Sequence, residues 1–331
     1  MGHKKEASYY TKAEGGAVIC ALCPHRCVIP PGGRGKCRTR ANEEGTLISR
    51  SYGHVASYGK DPIEKKPLYH FYPGTKIFSV GSFGCNFTCD FCQNFAISQE
   101  SPKMIDTTAQ NLVDIACNEK ENLGIAYTYN EPTIWYEFMT EIAQGIRRGG
   151  KKNVLVTNGY MNPEPLAALL PLIDAMNVDL KSMNPEFYKA HCGGTLEPVL
   201  DFIRQSAPAC HVEITTLLIE GLNTSEEEIR SVARFISAIN PEIPLHLSRY
   251  FPAYNMNLPP TDIALMERLQ AVAREELRYV YLGNVPEADR DTRCGYCGAT
   301  LVSRQAAVVT ALREDGACKV CGTPSPILTG R

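Results

Sequence analysis

Long apolar runs are missing from this 331-residue chain. No window offers about 18 uninterrupted apolar residues, so a membrane-spanning helix is not expected. The opening MGHKKEASYY lacks the apolar stretch of a secretory signal. Glu6 stands where a myristoylation pattern wants Ser or Thr. These absences predict a cytoplasmic protein with no membrane partner. An excess of one charge is missing too: 34 Lys and Arg face 36 Asp and Glu, a formal net charge of −2. That gives no global case for binding nucleic acid or anionic lipid. Compositional bias is absent, with 44% apolar, 21% charged and 8% aromatic residues. Those values exclude a disordered or fibrous chain. The length suffices for one large α/β domain with small satellites.

Cysteine, by contrast, is plentiful. Of 14 cysteines, 11 fall into three tight clusters, and in a cytoplasmic chain such clusters indicate metal more than disulfides. They divide the chain into three regions. Residues 1–75 are rich in Gly, Pro and basic residues and hold Cys20, Cys23, Cys27 and Cys37. Residues 76–285 hold Cys85, Cys89 and Cys92, and residues 286–331 form a tail with Cys294, Cys297, Cys318 and Cys321.

The middle region alternates between short β-branched runs and helical patterns. Strands are expected at 77–82, 124–129, 153–157, 175–180, 211–219 and 244–250, with a short seventh at 279–282. Helices are expected near 107–121, 133–148, 163–172, 196–206, 224–238 and 261–276, the fifth capped by Thr224 or Ser225 ahead of three glutamates. Strand–helix alternation implies a parallel sheet with right-handed crossovers. Six such units predict an α/β fold, a partial (β/α)6 TIM-like barrel with Cys-rich N- and C-terminal extensions; a doubly wound open sheet is the alternative. The unusual residues gather at the carboxyl ends of the strands, where parallel α/β folds assemble their sites.

Residues 84–94 read GCNFTCDFCQN, a Cys-x3-Cys-x2-Cys spacing with Phe91 before the third Cys. Thiolates are soft ligands that hold iron–sulfur clusters. Three of them cannot complete a four-iron cubane, so one iron stays open to chelate the amino and carboxylate groups of a methionine moiety. A zinc site would need a fourth ligand, and Asp90 and Asn86 are poor candidates.

The loop matches the CxxxCxΦC signature of the radical S-adenosylmethionine (SAM) superfamily, Φ being aromatic. The wider string resembles the radical SAM component of the AmmeMemoRadiSam system, related to glycyl-radical-enzyme (pyruvate formate-lyase) activating enzymes. The resembling stretches include CALCPHRC at 20–27, DPIEKKPLYHFYPGT at 61–75, TYNEPT at 128–133, NVDLKS at 177–182, VEITTLLI at 212–219 and LHLSRY at 245–250. The resemblance implies a [4Fe–4S] cluster on Cys85, Cys89 and Cys92 that cleaves SAM to methionine and a 5′-deoxyadenosyl radical, which abstracts hydrogen from a substrate. It also implies Memo-type and AMMECR-type partner proteins and an electron donor such as flavodoxin or ferredoxin.

By similarity, Phe91 would meet the adenine. Asn130-Glu131-Pro132 takes the place of the family's Gly-Gly-Glu-Pro stretch, with Tyr129 and Asn130 where glycines stand. Glu131 offers a carboxylate to the methionine ammonium, or complements the dipole of the following helix. Thr157-Asn158-Gly159 would contact ribose or carboxylate, or make a strand-to-helix turn. Asp179 and Lys181 share one strand face and would enter the SAM site, or form an ion pair at the rim. Glu213 and Thr215 also share a face and either line the cavity or cap its floor. Arg249 is a further contact candidate, and His246 beside it reads as a packing residue. Cys192 could donate hydrogen to a radical, or simply fill a loop. Cys117 and Cys210 read as packing residues.

In the tail, two Cys-x2-Cys pairs 20 residues apart have zinc-ribbon spacing, with iron as the alternative. The N-terminal four could enclose zinc or an auxiliary iron–sulfur cluster, with His25 a possible substitute ligand, or pack as small hydrophobes. The substrate could be a protein glycyl site, an RNA or a metabolite. The basic stretch Arg34, Lys36, Arg38 and Arg40 permits RNA, and the net charge does not favour it. A competing reading is a metal-binding adaptor without catalysis, or an RNA-binding zinc-ribbon protein.

Overall fold

All seven strands expected in the middle region form in the computed structural model, and an eighth joins them. The structure describes residues 4–286, 288–305 and 308–329. In chain order the strands are β1 (Ser57–Pro62), β2 (Lys76–Gly81), β3 (Asn122–Tyr127), β4 (Lys152–Thr157), β5 (Ala175–Asp179), β6 (His211–Leu218), β7 (Leu245–Arg249) and β8 (Val280–Gly283). They lie side by side in that same order. β1 runs antiparallel to β2, and β2 to β8 are parallel. A doubly wound sheet reverses its strand order, and this one does not. Right-handed crossovers between neighbours in a constant order put every helix on one face and leave the other hollow. Asp61 on β1 and Gly283 on β8 line the same chamber, so the sheet curls until its first and last strands face each other.

The helices follow their sequence signals: α1 (Ala109–Asn118), α2 (Tyr136–Arg148), α3 (Pro163–Leu169), α4 (Glu197–Ser206), α5 (Glu226–Ile239) and α6 (Ile263–Arg274). Ser225 rather than Thr224 caps α5, its side chain accepting from the Glu228 N–H at 3.1 Å. Asp262 caps α6 in the same way. Gly145 lets α2 approach α1, because a Cβ there would stand 2.5 Å from a Val113 methyl. Among the described residues no helix is long and apolar enough to cross a membrane.

Two features depart from the expected division of the chain. β1 comes from residues assigned to the N-terminal region. The segment that follows, 66–71, runs across the inside of the sheet as a plug. The Asn177 amide of β5 donates to the Pro67 carbonyl, and the Tyr69 and His70 N–H groups donate to Glu213 of β6. Tyr69 meets His246 of β7 edge-on, and His70 Nε2 lies 2.7 Å from the Tyr281 hydroxyl of β8. Leu68 and Phe71 are buried with Ile77, Ala126, Val154 and Ala175. The small alanines on β3 and β5 leave room for these side chains, each worth about 1.5–3 kcal/mol of burial. The plug fills the hollow near the amino ends of the strands and leaves the carboxyl ends open.

The outer regions are small antiparallel sheets. Tyr10–Lys12, Val18–Cys20 and Val28–Ile29 form one, and Lys5–Glu6, Thr46–Ser49 and Arg40–Glu43 another. The tail forms a third from Thr292–Arg293, Thr300–Ser303 and Val309–Thr310. It docks on the plug: Arg304 donates to the Tyr69 carbonyl, and Leu328 exchanges backbone hydrogen bonds with His70 and Tyr72.

Candidate active site

The Cys85–Cys92 loop leaves the carboxyl end of β2 and is held from three sides. The Asn130 amide accepts from the Ser82 N–H at 2.9 Å and donates to the Gly84 carbonyl at 3.0 Å. Asn86 donates to the Tyr160 carbonyl, and Asn158 donates to Asn86 at 2.8 Å and lies 3.8 Å from the Cys85 sulfur. The Phe87 N–H donates to the same sulfur at 3.3 Å, and the Ser98 hydroxyl stands 3.1 Å from the sulfur of Cys92. All three sulfurs line one chamber of about 300 Å³ at the mouth of the sheet. Burial pushes the free thiols of Cys85 and Cys92 up. Buried thiolates of that kind need positive charge, and soft metal ions supply it.

Glu131 accepts three hydrogen bonds within the protein. One carboxylate oxygen accepts from the Thr133 N–H and the Thr157 hydroxyl, the other from the Asn158 N–H, each at 2.8 Å. Burial raises its pKa against the pull of those donors. It caps the turn at Pro132–Trp135 and ties β4 to the loop after β3. The sequence offered an ammonium partner or a helix-start acid, and the second description fits its bonds. Asn130 and Asn158, too, spend their amides holding the cysteine loop. All three still line the chamber.

Asp179 and Lys181 enter the same chamber at the ends of β5, paired at 2.9 Å. Burial opposes charge on Lys181, but Asp179, Cys89 and Cys192 outweigh it and hold the ammonium protonated. Its Nζ lies 5.8 Å from the centre of the Phe91 ring, which is buried. Thr215 lines the chamber while donating to Asn177 at 2.9 Å.

Three further candidates take distinct places. Cys192 is buried and does not line the chamber. A hydrogen donor to a radical would need access that Cys192 lacks. Arg249 lines a second, adjoining chamber of about 920 Å³ and donates to the Thr261 carbonyl. Lys65, Lys66 and Arg290 line that chamber too, against Asp61 and Glu64. Glu213 belongs to the floor, accepting from His211 at 2.9 Å and from His246 at 2.6 Å as well as from the plug. Burial disfavours its charge, and the two imidazoles overcome that and hold its pKa well below 4.5.

Sequence reasoning passed over Ser98, the loop-holding role of Asn86 and the backbone at Tyr129. Tyr129 has φ +70°, the left-handed conformation glycine adopts freely. The Gly-to-Tyr difference from the family stretch was the available signal.

In the tail, the sulfurs of Cys294 and Cys321 lie 3.7 Å apart, as do those of Cys297 and Cys318. Metal–sulfur bonds of about 2.3 Å at the tetrahedral angle place thiolates about 3.8 Å apart. The four therefore fit one tetrahedral ion. The N-terminal four, Cys20, Cys23, Cys27 and Cys37, line a small buried cavity together with His25.

Comparison with known proteins agrees with this geometry. Residues 79–236 match the model of the radical SAM superfamily. The Methanocaldococcus jannaschii protein MJ0808 is 42% identical over 329 residues, covering 96% of this chain and 98% of that one. The isethionate sulfite-lyase activating enzyme of Oleidesulfovibrio alaskensis is 26% identical over 125 residues, 37% of this chain and 40% of that one. Among solved structures, a radical SAM methyltransferase from Sphaerobacter thermophilus superposes with a TM-score of 0.50 at 17% identity, covering 70% of this chain and 71% of that one, a likeness of fold. With a three-cysteine loop at the mouth of a curled parallel sheet, the chain carries a radical SAM domain over residues 79–236 and belongs to the same family as MJ0808.

Proposed function

We propose that this protein is a radical SAM enzyme whose cluster is held by Cys85, Cys89 and Cys92. The observation that carries the reading is the meeting of those three sulfurs with Lys181 and Asp179 in one chamber at the carboxyl ends of the strands. Three thiolates suit a four-iron cluster with one open iron. When bound, the cluster supplies the electron that splits SAM into methionine and a 5′-deoxyadenosyl radical. The chain's own residues hold and orient. Asn130, Asn158 and Glu131 fix the loop and the ends of β3 and β4. Lys181 presents a fixed positive charge beside Phe91, suited to a carboxylate. The curled sheet and its plug exclude water from below.

The adjoining chamber is the substrate's place in this reading. Its size and open mouth accommodate a loop of another protein, and the activating-enzyme name of the Oleidesulfovibrio relative favours a glycyl site over an RNA or a metabolite. The finer resemblance to the AmmeMemoRadiSam component supports Memo-type and AMMECR-type partners and a flavodoxin or ferredoxin donor. The tail's tetrahedral spacing supports zinc. The same reading places the enzyme in the cytoplasm, where thiols stay reduced.

The test is anaerobic purification and reconstitution with iron and sulfide, then dithionite and SAM, with 5′-deoxyadenosine quantified. The expected result is product from the wild type and none from Cys85→Ala/Cys89→Ala/Cys92→Ala. Equal yields from both, with the wild type carrying an iron–sulfur spectrum, would remove the reading in favour of a metal-binding adaptor.

A further inference from the structure

Two of the three cysteine clusters differ in how widely their sulfurs stand. Among the described residues, the tail's four are the group whose ligand atoms all lie within 4.8 Å of one another. Neither the N-terminal four nor the central three form a group that tight. A single tetrahedral ion draws its thiolates to about 3.8 Å. A polynuclear core puts a separate metal atom under each thiolate and holds them farther apart.

The four N-terminal cysteines nevertheless line one buried cavity, and two of their sulfurs accept hydrogen bonds. The Lys36 N–H reaches Cys27 at 3.4 Å, and the Thr39 hydroxyl reaches Cys37 at 3.3 Å. Such donors stabilise thiolates and tune the clusters they hold. An independent observation comes from Arg40, which lines the same cavity at 1% exposure. Its Nη atoms donate to the Ser8 carbonyl and to Glu137, but its buried Nε–H has no partner. A buried guanidinium donor left unpaired beside four thiols calls for an anionic acceptor.

We infer that Cys20, Cys23, Cys27 and Cys37 hold a second iron–sulfur cluster, fully ligated by four thiolates, with the Arg40 Nε–H directed at its sulfur. The site abuts the central loop. His25 lies 2.7 Å from the Asn86 carbonyl, and a Cβ on Gly84 would stand 2.7 Å from the Cys37 carbonyl. A cluster here is a relay: it takes one electron from a low-potential one-electron donor protein and passes that electron to the central cluster, returning to its oxidised form. The relay rests on the proposed function, whereas occupancy of the site does not.

The experiment uses the full chain with Cys85→Ala/Cys89→Ala/Cys92→Ala, which leaves the N-terminal ligands intact. Iron, acid-labile sulfide and zinc are counted after anaerobic reconstitution, and the dithionite-reduced protein is examined by electron paramagnetic resonance. The expected result is about two or about four irons with matching sulfide and a reduced-cluster signal in the variant. The wild type should carry about four irons more. Adding Cys20→Ser and Cys23→Ser to the variant should remove the remaining iron, with circular dichroism checking that the barrel survives. A triple variant without iron, whether it holds extra zinc or none, overturns the inference. A wild type with no more iron than the triple variant would instead overturn the central reading and leave this one standing.

Discussion

The floor and the mouth of the curled sheet are built from the same strands, and both are polar. At the floor, Glu213 of β6 receives His211, His246 and the N–H groups of Tyr69 and His70, so its oxygens are saturated. Two residues further along the same face, Thr215 opens onto the chamber. On β5, Asn177 is spent on the plug and on Thr215, while Asp179 reaches the mouth. Depth along the strand therefore decides the role. Polar groups that meet the plug become structure, and those beyond it stay available to a ligand. Destabilisation without specific loss of chemistry should follow changes at the floor, and the reverse should hold at the mouth.

The largest effect is expected from Glu213→Ala. It strands two histidines and two buried N–H groups, and breaking such a network costs about 3–5 kcal/mol. The urea midpoint should fall accordingly, and an unchanged midpoint would dissolve the distinction between floor and mouth. Lys181→Met comes next and should do the opposite. Its partner Asp179 is over a third exposed, so stability should move by no more than about 1 kcal/mol. Loss of a charged hydrogen-bond partner worth about 1.5–3 kcal/mol should cut 5′-deoxyadenosine formation roughly 10- to 100-fold.

Acid separates the floor's own components. Burial lowers the pKa of His70 from 6.5 to about 3. The unfolded chain therefore takes up a proton near pH 6.5 that the folded chain refuses. Stability contributed by His70 is present above that pH and is lost as pH falls through the window toward 3. The loss between pH 7.5 and 5.5 is about 1.4 kcal/mol. His70→Gln should flatten that part of a stability–pH curve by the same amount, measured as the difference between the two curves. Glu213, held below 4.5, loses its contribution only as pH falls beneath that value, so the two windows are distinct.

Much of this architecture was legible in the chain. The parallel strands read as short apolar runs between helical patterns, and three of the six helices show a side-chain cap, so their bounds shift by a few residues at most. β1 was not legible, because SYGKDP is a polar edge strand ending in proline with no buried face of its own. The plug was not legible either: PLYHF has no period, and its meaning lies in partners more than 100 residues away, such as Asn177 and Glu213. The cysteine loop and the Asp179–Lys181 pair were evident from residue type and spacing. The committed hydrogen bonds of Asn130, Glu131 and Asn158 were not, since a polar side chain at a strand end looks the same whether it faces a ligand or a loop.

The smallest effect tests the mouth's backbone. Tyr129, at φ +70°, begins the turn that aims Asn130 at the cysteine loop. A non-glycine residue there bears roughly 1 kcal/mol of strain. Its hydroxyl donates to Asp61 at 3.0 Å, and Lys66 lies 4.8 Å from the ring centre. Tyr129→Gly relieves the strain and loses those contacts, so the net change should stay within about 1 kcal/mol. Tyr129→Ala loses the same contacts and keeps the strain. At most positions Ala is more stable than Gly by about 0.4–1 kcal/mol, through the entropy of the unfolded chain. Here the order should invert, with Gly at least as stable as Ala by chemical denaturation. If Ala proved the more stable, the left-handed turn would be absent, and the clamp from Asn130 to Gly84 would need another origin.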